Sequence, residues 1–296
     1  MELAYELGRC TGPKITDCHF LGARWVAKDS EEDPDDVRQE AIVCRREGTR
    51  STVVMRWAGP MVDMFRLPEG RLYVTNSSGW LWRNDQPVQG GPPFEREPVG
   101  FVHRVWGLNE SCVFAWTFKK VYFFDGNSWS EIDPPFRVSA MHGVSPDLIY
   151  AVGHGIARWN GSGFTEMATG TRRPFYAIHV VSDDEMYAIS NREAIWEGSV
   201  HGWSQRTDPT QQLTSIAKWN DKVWVGHTSR GLCTLQADDS LEAVKPNLPA
   251  THLEARDELL ISTRHAVVGT ADGALFKGVA ANALGEMTQN LTPRWE

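Results

Sequence analysis

The 296-residue sequence predicts an all-β protein built from seven repeats, each of about four short antiparallel strands. Two stretches show the repeat directly: VYFFDGNSWSEI at residues 121–132 and IARWNGSGFTEM at residues 156–167. In both, a run rich in aromatic residues leads through Asp-Gly or Asn-Gly into a second short run, which predicts a hairpin with a type I′ turn. No long stretch has the 3.6-residue periodicity of an amphipathic helix, so almost no helix is expected.

The similarity between the repeats extends upstream of these hairpins. The segment RVWGLNESCVFAWTFKKVYFFDG aligns with SAMHGVSPDLIYAVGHGIARWNG and with two later segments. We expect one aromatic residue of each copy on the second strand: Trp25, Tyr73, Phe114, Tyr150, Tyr187 and Trp224. Four strands in a period of roughly 40 residues are typical of a β-propeller blade, because radial stacking buries both faces of each sheet.

We therefore predict a single domain over residues 1–296, a seven-bladed β-propeller with about four antiparallel strands per blade. The blades are expected at residues 15–57, 60–95, 100–132, 136–167, 174–206, 213–245 and 251–288. The thirteen tryptophans then have a structural role, and five of them are expected to fill the gaps between blades: Trp25, Trp80, Trp129, Trp159 and Trp224. The ring is expected to close by pairing the two terminal segments of the chain in one blade.

The repeats resemble the broad family of bacterial seven-bladed β-propellers with degenerate repeats, over essentially the whole chain. They lack the WD dipeptide and the Gly-His pair of WD40 repeats and the Gly-Gly doublet of kelch repeats. Asp125 and Gly126 are adjacent, whereas the Asp-box of sialidase-like propellers has one residue between them. The resemblance thus leaves the subfamily open. It implies a scaffold or a partner-neutralising protein, including immunity proteins that block a toxin.

Composition excludes several other classes of protein. The net charge of −8 argues against general nucleic-acid binding, and no stretch is long and apolar enough to predict a membrane span or a signal peptide. The five cysteines are scattered and none forms a C-x-x-C pair, which predicts reduced, buried thiols. We therefore expect a cytoplasmic protein without a metal or other cofactor.

The sequence contains no recognisable catalytic motif. A G-x-S-x-G elbow, an H-E-x-x-H pair, a P-loop and a G-x-G-x-x-G turn after a strand are all missing, so a non-enzymatic protein is predicted. Two alternatives stay open. A carbohydrate-binding propeller requires several exposed tryptophans at equivalent blade positions. A hydrolase or lyase requires at least three His, Asp, Glu or Arg side chains that converge at the mouth of the central channel.

The loops give the clearest indication of a binding surface. Turns between the first and second strands of the repeats are rich in Asp and Glu, whereas loops between second and third strands and between blades are rich in Lys, Arg and His. We predict that the second set binds another protein through Arg137, Arg172, Arg173, His154, His227 and Arg230.

One loop on the same side is strongly acidic. The segment DSEEDPDDVRQE at residues 29–40 contains seven Asp and Glu, and is either a solvated mobile loop or a docking loop for a basic partner. The predicted partner is therefore a protein of mixed or basic charge. The oligomeric state is left open.

Overall fold

The structure of this protein is a computed structural model that describes residues 3–26, 39–85, 89–91 and 93–294. It contains seven antiparallel sheets, each of four strands that are consecutive in the sequence. The fold is a seven-bladed β-propeller, which confirms the predicted fold class. One short helix, α1 (Asn282–Thr288), follows the last strand of the described chain.

The first two sheets consist of β1 (Leu3–Lys14), β2 (Asp17–Val26), β3 (Gln39–Glu47), β4 (Arg50–Ala58), β5 (Met61–Arg66), β6 (Leu72–Asn76), β7 (Leu81–Asn84) and β8 (Glu95–Arg96). The third and fourth sheets consist of β9 (Arg104–Asn109), β10 (Cys112–Trp116), β11 (Val121–Phe124), β12 (Trp129–Ile132), β13 (Val138–Ser145), β14 (Leu148–Gly153), β15 (Ile156–Trp159) and β16 (Phe164–Met167).

The fifth and sixth sheets consist of β17 (Phe175–Val180), β18 (Met186–Ser190), β19 (Ala194–Ser199), β20 (Gly202–Gln205), β21 (Leu213–Trp219), β22 (Lys222–His227), β23 (Gly231–Leu235) and β24 (Leu241–Lys245). The seventh sheet consists of β25 (His252–Ala255), β26 (Leu259–Ser262), β27 (Ala266–Thr270) and β28 (Lys277–Ala280). The six aromatic residues that were predicted on second strands all lie there, on β2, β6, β10, β14, β18 and β22.

The chain divides into two compact units, residues 1–105 with 256–296 and residues 106–255. The core of the first unit is built around the first sheet and includes three buried thiols, those of Cys10, Cys18 and Cys44. Two cores of the second unit lie around Tyr150 and Tyr187. All five cysteines are buried and unbridged, as the sequence predicts.

The expected closure of the ring is wrong, because the first sheet takes all four of its strands from residues 3–58. Its first strand, β1, lies before residue 15, where the first blade was expected to begin. The C-terminal segment is instead held on the first sheet by Arg24, whose side chain is 1% exposed. Its guanidinium donates hydrogen bonds to the carbonyl oxygens of Thr288 (3.1 Å) and Leu291 (3.0 Å).

Glu40 completes this buried contact and therefore does not belong to the acidic loop. Its Oε2 accepts a hydrogen bond from Arg24 Nε at 2.7 Å, and its Oε1 accepts one from Arg56 Nε at 2.6 Å. Arg56 also donates to the carbonyl oxygen of Thr292. The rest of the acidic loop, residues 29–38, lies outside the described residues.

The two hairpins that reveal the repeat are not type I′ turns. Phe124 pairs with Trp129 and Trp159 pairs with Phe164, so each loop contains four residues. Only the glycine of each loop has a positive φ, +98° at Gly126. The side chain that precedes the glycine fixes the loop instead: Oδ1 of Asp125 accepts the backbone N–H groups of residues 127 and 128, at 2.8 and 2.9 Å.

The tryptophans are largely enclosed by the sheets. Trp159 and Trp224 are buried, whereas Trp25, Trp80 and Trp129 are half-buried. Of the thirteen tryptophans, the twelve that lie in the described part of the chain are all buried or half-buried. The exposed tryptophans that a carbohydrate-binding propeller requires are therefore not seen there.

Candidate functional site

In the unit of residues 106–255, successive sheets pack through their first strands, β13 against β17 and β17 against β21. Corresponding ends of these sheets therefore lie on the same side of the unit. One end carries the loops 117–120, 133–137, 154–155, 168–174, 191–193, 206–212, 228–230 and 246–251, which we call the loop face. The other end carries 110–111, 125–128, 146–147, 160–163, 181–185, 200–201, 220–221 and 236–240, which we call the turn face.

The two faces carry opposite charge. The loop-face segments contain eight Lys and Arg and three Asp and Glu, whereas the turn-face segments contain nine Asp and Glu and no Lys or Arg. Tight turns favour Asp, which explains part of the acidic excess. Turn chemistry does not favour Arg, so the basic excess on the loop face needs another explanation.

An exposed aromatic ring lies in the first loop of the loop face. Phe118 is 56% exposed, and Arg137 lies over it with its guanidinium carbon 5.2 Å from the ring centroid. Arg137 belongs to the connection that leads into the next sheet. A guanidinium over a ring keeps its N–H groups free at the edges, so the pair offers both apolar area and charged donors.

A second pair of the same kind lies two sheets further on. Tyr176 at the start of β17 is 41% exposed, and the guanidinium carbon of Arg192 is 5.3 Å from its ring centroid. Arg192 has a φ of +58°, and the other described residues with positive φ are all Asn, Asp or Gly. A left-handed conformation is costly for an arginine, and such strain collects at functional positions.

The structure places five of the six predicted binding residues on the exposed part of the loop face. Arg137, His154, Arg172, Arg173 and Arg230 are exposed. Arg172 and Arg173 share one loop, in which Arg173 forms an ion pair with Glu193 at 3.4 Å. The guanidinium of Arg230 donates to the carbonyl oxygen of Leu241 along its own blade.

His227, the sixth, is buried with 5% of its surface exposed. Its Nδ1 accepts the backbone N–H groups of Ser229 and Arg230, both at 3.2 Å, and so shapes the loop that carries Arg230. Burial lowers the pKa of His227, and the charge of Arg230 lowers it further, which keeps the ring neutral as this acceptor role requires. The His227 ring therefore acts on the loop face indirectly, by holding the backbone of Arg230 in place.

Two other histidines lie on first strands of this unit. His142 on β13 and His179 on β17 pack with ring centroids 4.5 Å apart, and Nδ1 of His142 accepts the backbone N–H of Val180 at 3.0 Å. Burial lowers the pKa of His179 to about 4. Within the described chain, no group of three or more His, Cys, Asp and Glu is arranged to hold a metal ion.

The sequence pattern did not predict Phe118, Tyr176 or Arg192 as binding residues. Aromatic residues of a propeller are usually buried between blades, and only the structure shows that these two rings are exposed. One sequence signal was present: Phe118 stands in TFKK, a loop between two strands, beside two lysines. No helix among the described residues has the length and apolar character to cross a bilayer.

The sequence matches no protein-family model and no curated protein. The structure is similar to the WD40 β-propeller domain of Doa1, with a TM-score of 0.61, 12% identity, and coverage of 88% of this chain and 94% of that chain. It is similar to YCF48 bound to D1 peptide, with a TM-score of 0.60, 10% identity and coverage of 89% and 92%.

A third similar structure is the extracellular domain of the putative one-component system BT4673 from B. thetaiotaomicron, with a TM-score of 0.64 and 10% identity. That match covers 88% of this chain and 38% of that chain. At these identities the similarities establish the propeller fold and leave the subfamily open.

Proposed function

We propose that this propeller is a non-enzymatic protein-binding module, and that it binds through the loop face of residues 106–255. The observation that carries the proposal is the pair of exposed aromatic rings, Phe118 and Tyr176, each covered by an arginine. Exposed aromatic and arginine side chains are enriched where protein interfaces derive most of their binding free energy.

The neighbouring structures support the same class of function. Several are WD40 propellers, which generally mediate protein–protein interaction or scaffolding. Another similar structure, that of YCF48, has the propeller bound to a peptide. A partner that covers a standard interface of about 800 Å² per side would span several blades of the unit.

The charge of the loop face indicates which side chains the partner presents. Free guanidinium groups bind carboxylates in a bidentate fashion, so the partner presents Asp or Glu to Arg137, Arg172 and Arg192. The net charge of −8 favours a protein of mixed charge over a polyanion such as nucleic acid, and a scaffold or partner-neutralising role is consistent with such binding.

The test compares charge reversals on the two faces. The partner is isolated by pull-down from the native cell, and its affinity is then titrated against two double variants. Arg172→Glu with Arg173→Glu on the loop face should weaken binding by about 2 kcal/mol or more. Asp183→Lys with Asp184→Lys on the turn face should change it by less than about 0.5 kcal/mol. A reversed order would reject the loop face as the binding surface.

A further inference from the structure

The unit that contains the first sheet carries an exposed aromatic ring of its own, outside the loop face. Phe101 lies between β8 and β9 and is 54% exposed. Its ring lies directly on the backbone of Gly79, where a Cβ atom would overlap the ring, and packs against His103 with centroids 4.6 Å apart. The backbone N–H of Val102 donates to the carbonyl oxygen of Gly79 at 2.9 Å. The ring is therefore held in place although about half of the residue faces solvent.

A second exposed apolar side chain lies beside this segment. Val62 on β5 is 37% exposed and is the extra residue of a β-bulge, because the register between β5 and β6 shifts there. The hydroxyl of Thr75 lies within hydrogen-bond distance of the carbonyl oxygens of Asp63 (3.4 Å) and His103 (2.9 Å). The bulge and the segment of Phe101 are therefore neighbours.

Arg104 adds a positive charge that is open to solvent. Its side chain is 51% exposed, and its only ionic contact in the described part of the chain is a long one, 3.9 Å from Nη1 to Oδ1 of Asp63. Nη1 of Arg9 lies 2.5 Å from the same oxygen, and the backbone N–H of Val105 donates to Oδ2 at 3.1 Å. Asp63 is thus already paired without Arg104, whose guanidinium remains able to bind a further carboxylate.

We propose that Val62, Phe101 and Arg104, which we call the Phe101 patch, bind an extended acidic segment of another protein. An apolar side chain of that segment packs on Phe101 and Val62, and a carboxylate two residues away binds Arg104. In an extended segment such side chains lie on the same side, about 7 Å apart. The Cα atoms of Phe101 and Arg104, three residues apart, lie within about 11 Å of each other, which matches this spacing. Because the ring is already held in place, binding costs little conformational entropy.

The experiment titrates the full-length protein with the peptide acetyl-Phe-Ser-Glu-amide at constant pH and ionic strength. Backbone amide signals of Gly79 and Gly100 are followed by NMR. The controls are acetyl-Phe-Ser-Gln-amide, which lacks the charge, and acetyl-Ala-Ser-Glu-amide, which lacks the ring. We expect saturable shifts with the first peptide, affinity about threefold or more lower for the glutamine peptide, and about fivefold or more lower for the alanine peptide. Equal affinities, or no saturable shift, would overturn the proposal.

Two variants separate the charge from the ring. Arg104→Gln should remove the preference for the glutamate peptide over the glutamine peptide, and it leaves the contact between Arg9 and Asp63 in place. Phe101→Ala should weaken both peptides by about fivefold or more. Arg50→Gln and Leu275→Ala change exposed residues of the same unit outside the patch and should leave both affinities unchanged. A preference for glutamate that persists in Arg104→Gln would contradict the proposal.

The Phe101 patch and the loop face can be tested separately. Arg172→Glu with Arg173→Glu should leave the peptide affinities unchanged, so a failure of peptide binding overturns the patch alone and not the proposed function. A change in the peptide affinities in this double variant would contradict the position of the site. A monomer–dimer equilibrium in sedimentation that Phe101→Ala abolishes would assign the patch to a second copy of the chain, and would overturn the proposal.

Discussion

The guanidinium of Arg192 lies over the ring of Tyr176, 5.3 Å from its centroid, and the backbone of Arg192 is held in a left-handed conformation. The carbonyl oxygen of Arg192 accepts the backbone N–H of Leu213 at 2.8 Å, and the N–H of Asn191 donates to the carbonyl oxygen of Pro174 at 2.7 Å. The fold thus holds an arginine in a conformation that suits glycine, with its side chain against an exposed ring.

This arrangement predicts that Arg192 lowers the stability of the folded protein while it contributes to partner binding. Arg192→Gly should raise the free energy of unfolding by about 1 kcal/mol, because glycine adopts positive φ without strain. It should also weaken partner binding, because the guanidinium is lost. Arg192→Ala should lose binding without the gain in stability. Urea denaturation and partner titration of both variants measure the two effects. Equal free energies of unfolding for Arg192→Gly and Arg192→Ala would show that the backbone of Arg192 is not strained.

The pair of Phe118 and Arg137 should contribute to binding and little to stability. We expect Phe118→Ala to reduce partner affinity by about 2 kcal/mol and the free energy of unfolding by less than about 0.5 kcal/mol, because the ring is mostly exposed. Val144, an apolar residue that is 44% exposed near the turn face, offers the matched control Val144→Ala. Similar losses of affinity in the two variants would show that Phe118 has no special role.

Stability should fall as the pH drops through the range set by His179. Its pKa is about 4 in the folded protein against an ordinary value of 6.5, so the unfolded chain binds more protons between these two values. The free energy of unfolding should therefore decrease by about 2 kcal/mol from this residue alone between roughly pH 7 and 5. His179→Gln should remove this contribution. Urea denaturation of the protein and of the variant at both pH values measures how far the free energy of unfolding falls between them. An equal fall in the two proteins would contradict the role assigned to His179.

The C-terminal segment should be required for the stability of the first sheet. Deletion of residues 287–296 removes the three carbonyl groups that accept hydrogen bonds from Arg24 and Arg56, while Glu40 stays in place. We expect a loss of about 3 kcal/mol or more in the free energy of unfolding, because each lost hydrogen bond to a charged group costs about 1.5–3 kcal/mol. Deletion of residues 293–296 leaves these three carbonyls in place and should change little.

Much of the fold could be predicted because the same sequence pattern recurs in each blade, so that each copy supports the strand assignment of the others. Phe114, Tyr150 and Trp224 stand at one position of the repeat, and one error in alignment would not change the strand assignment. The turn at Asp125 was assigned wrongly because the dipeptide Asp-Gly fits several hairpin loops. The loop length decides between them, and it depends on strand pairing.

The site was harder to predict than the fold. The basic loops were visible in the sequence, but the burial of His227 and the exposure of Phe118 depend on which groups the neighbouring strands supply. The left-handed backbone of Arg192 also has no sequence signature, since left-handed residues are usually Gly, Asn or Asp.

The most direct test of the proposed binding surface is hydrogen–deuterium exchange of the protein with and without its captured partner. We predict that the partner slows exchange in the loops 117–120, 133–137, 168–174 and 191–193, and leaves the turn-face segments 125–128, 160–163 and 181–185 unchanged. Slower exchange confined to the turn-face segments would contradict the proposal that the loop face is the binding surface.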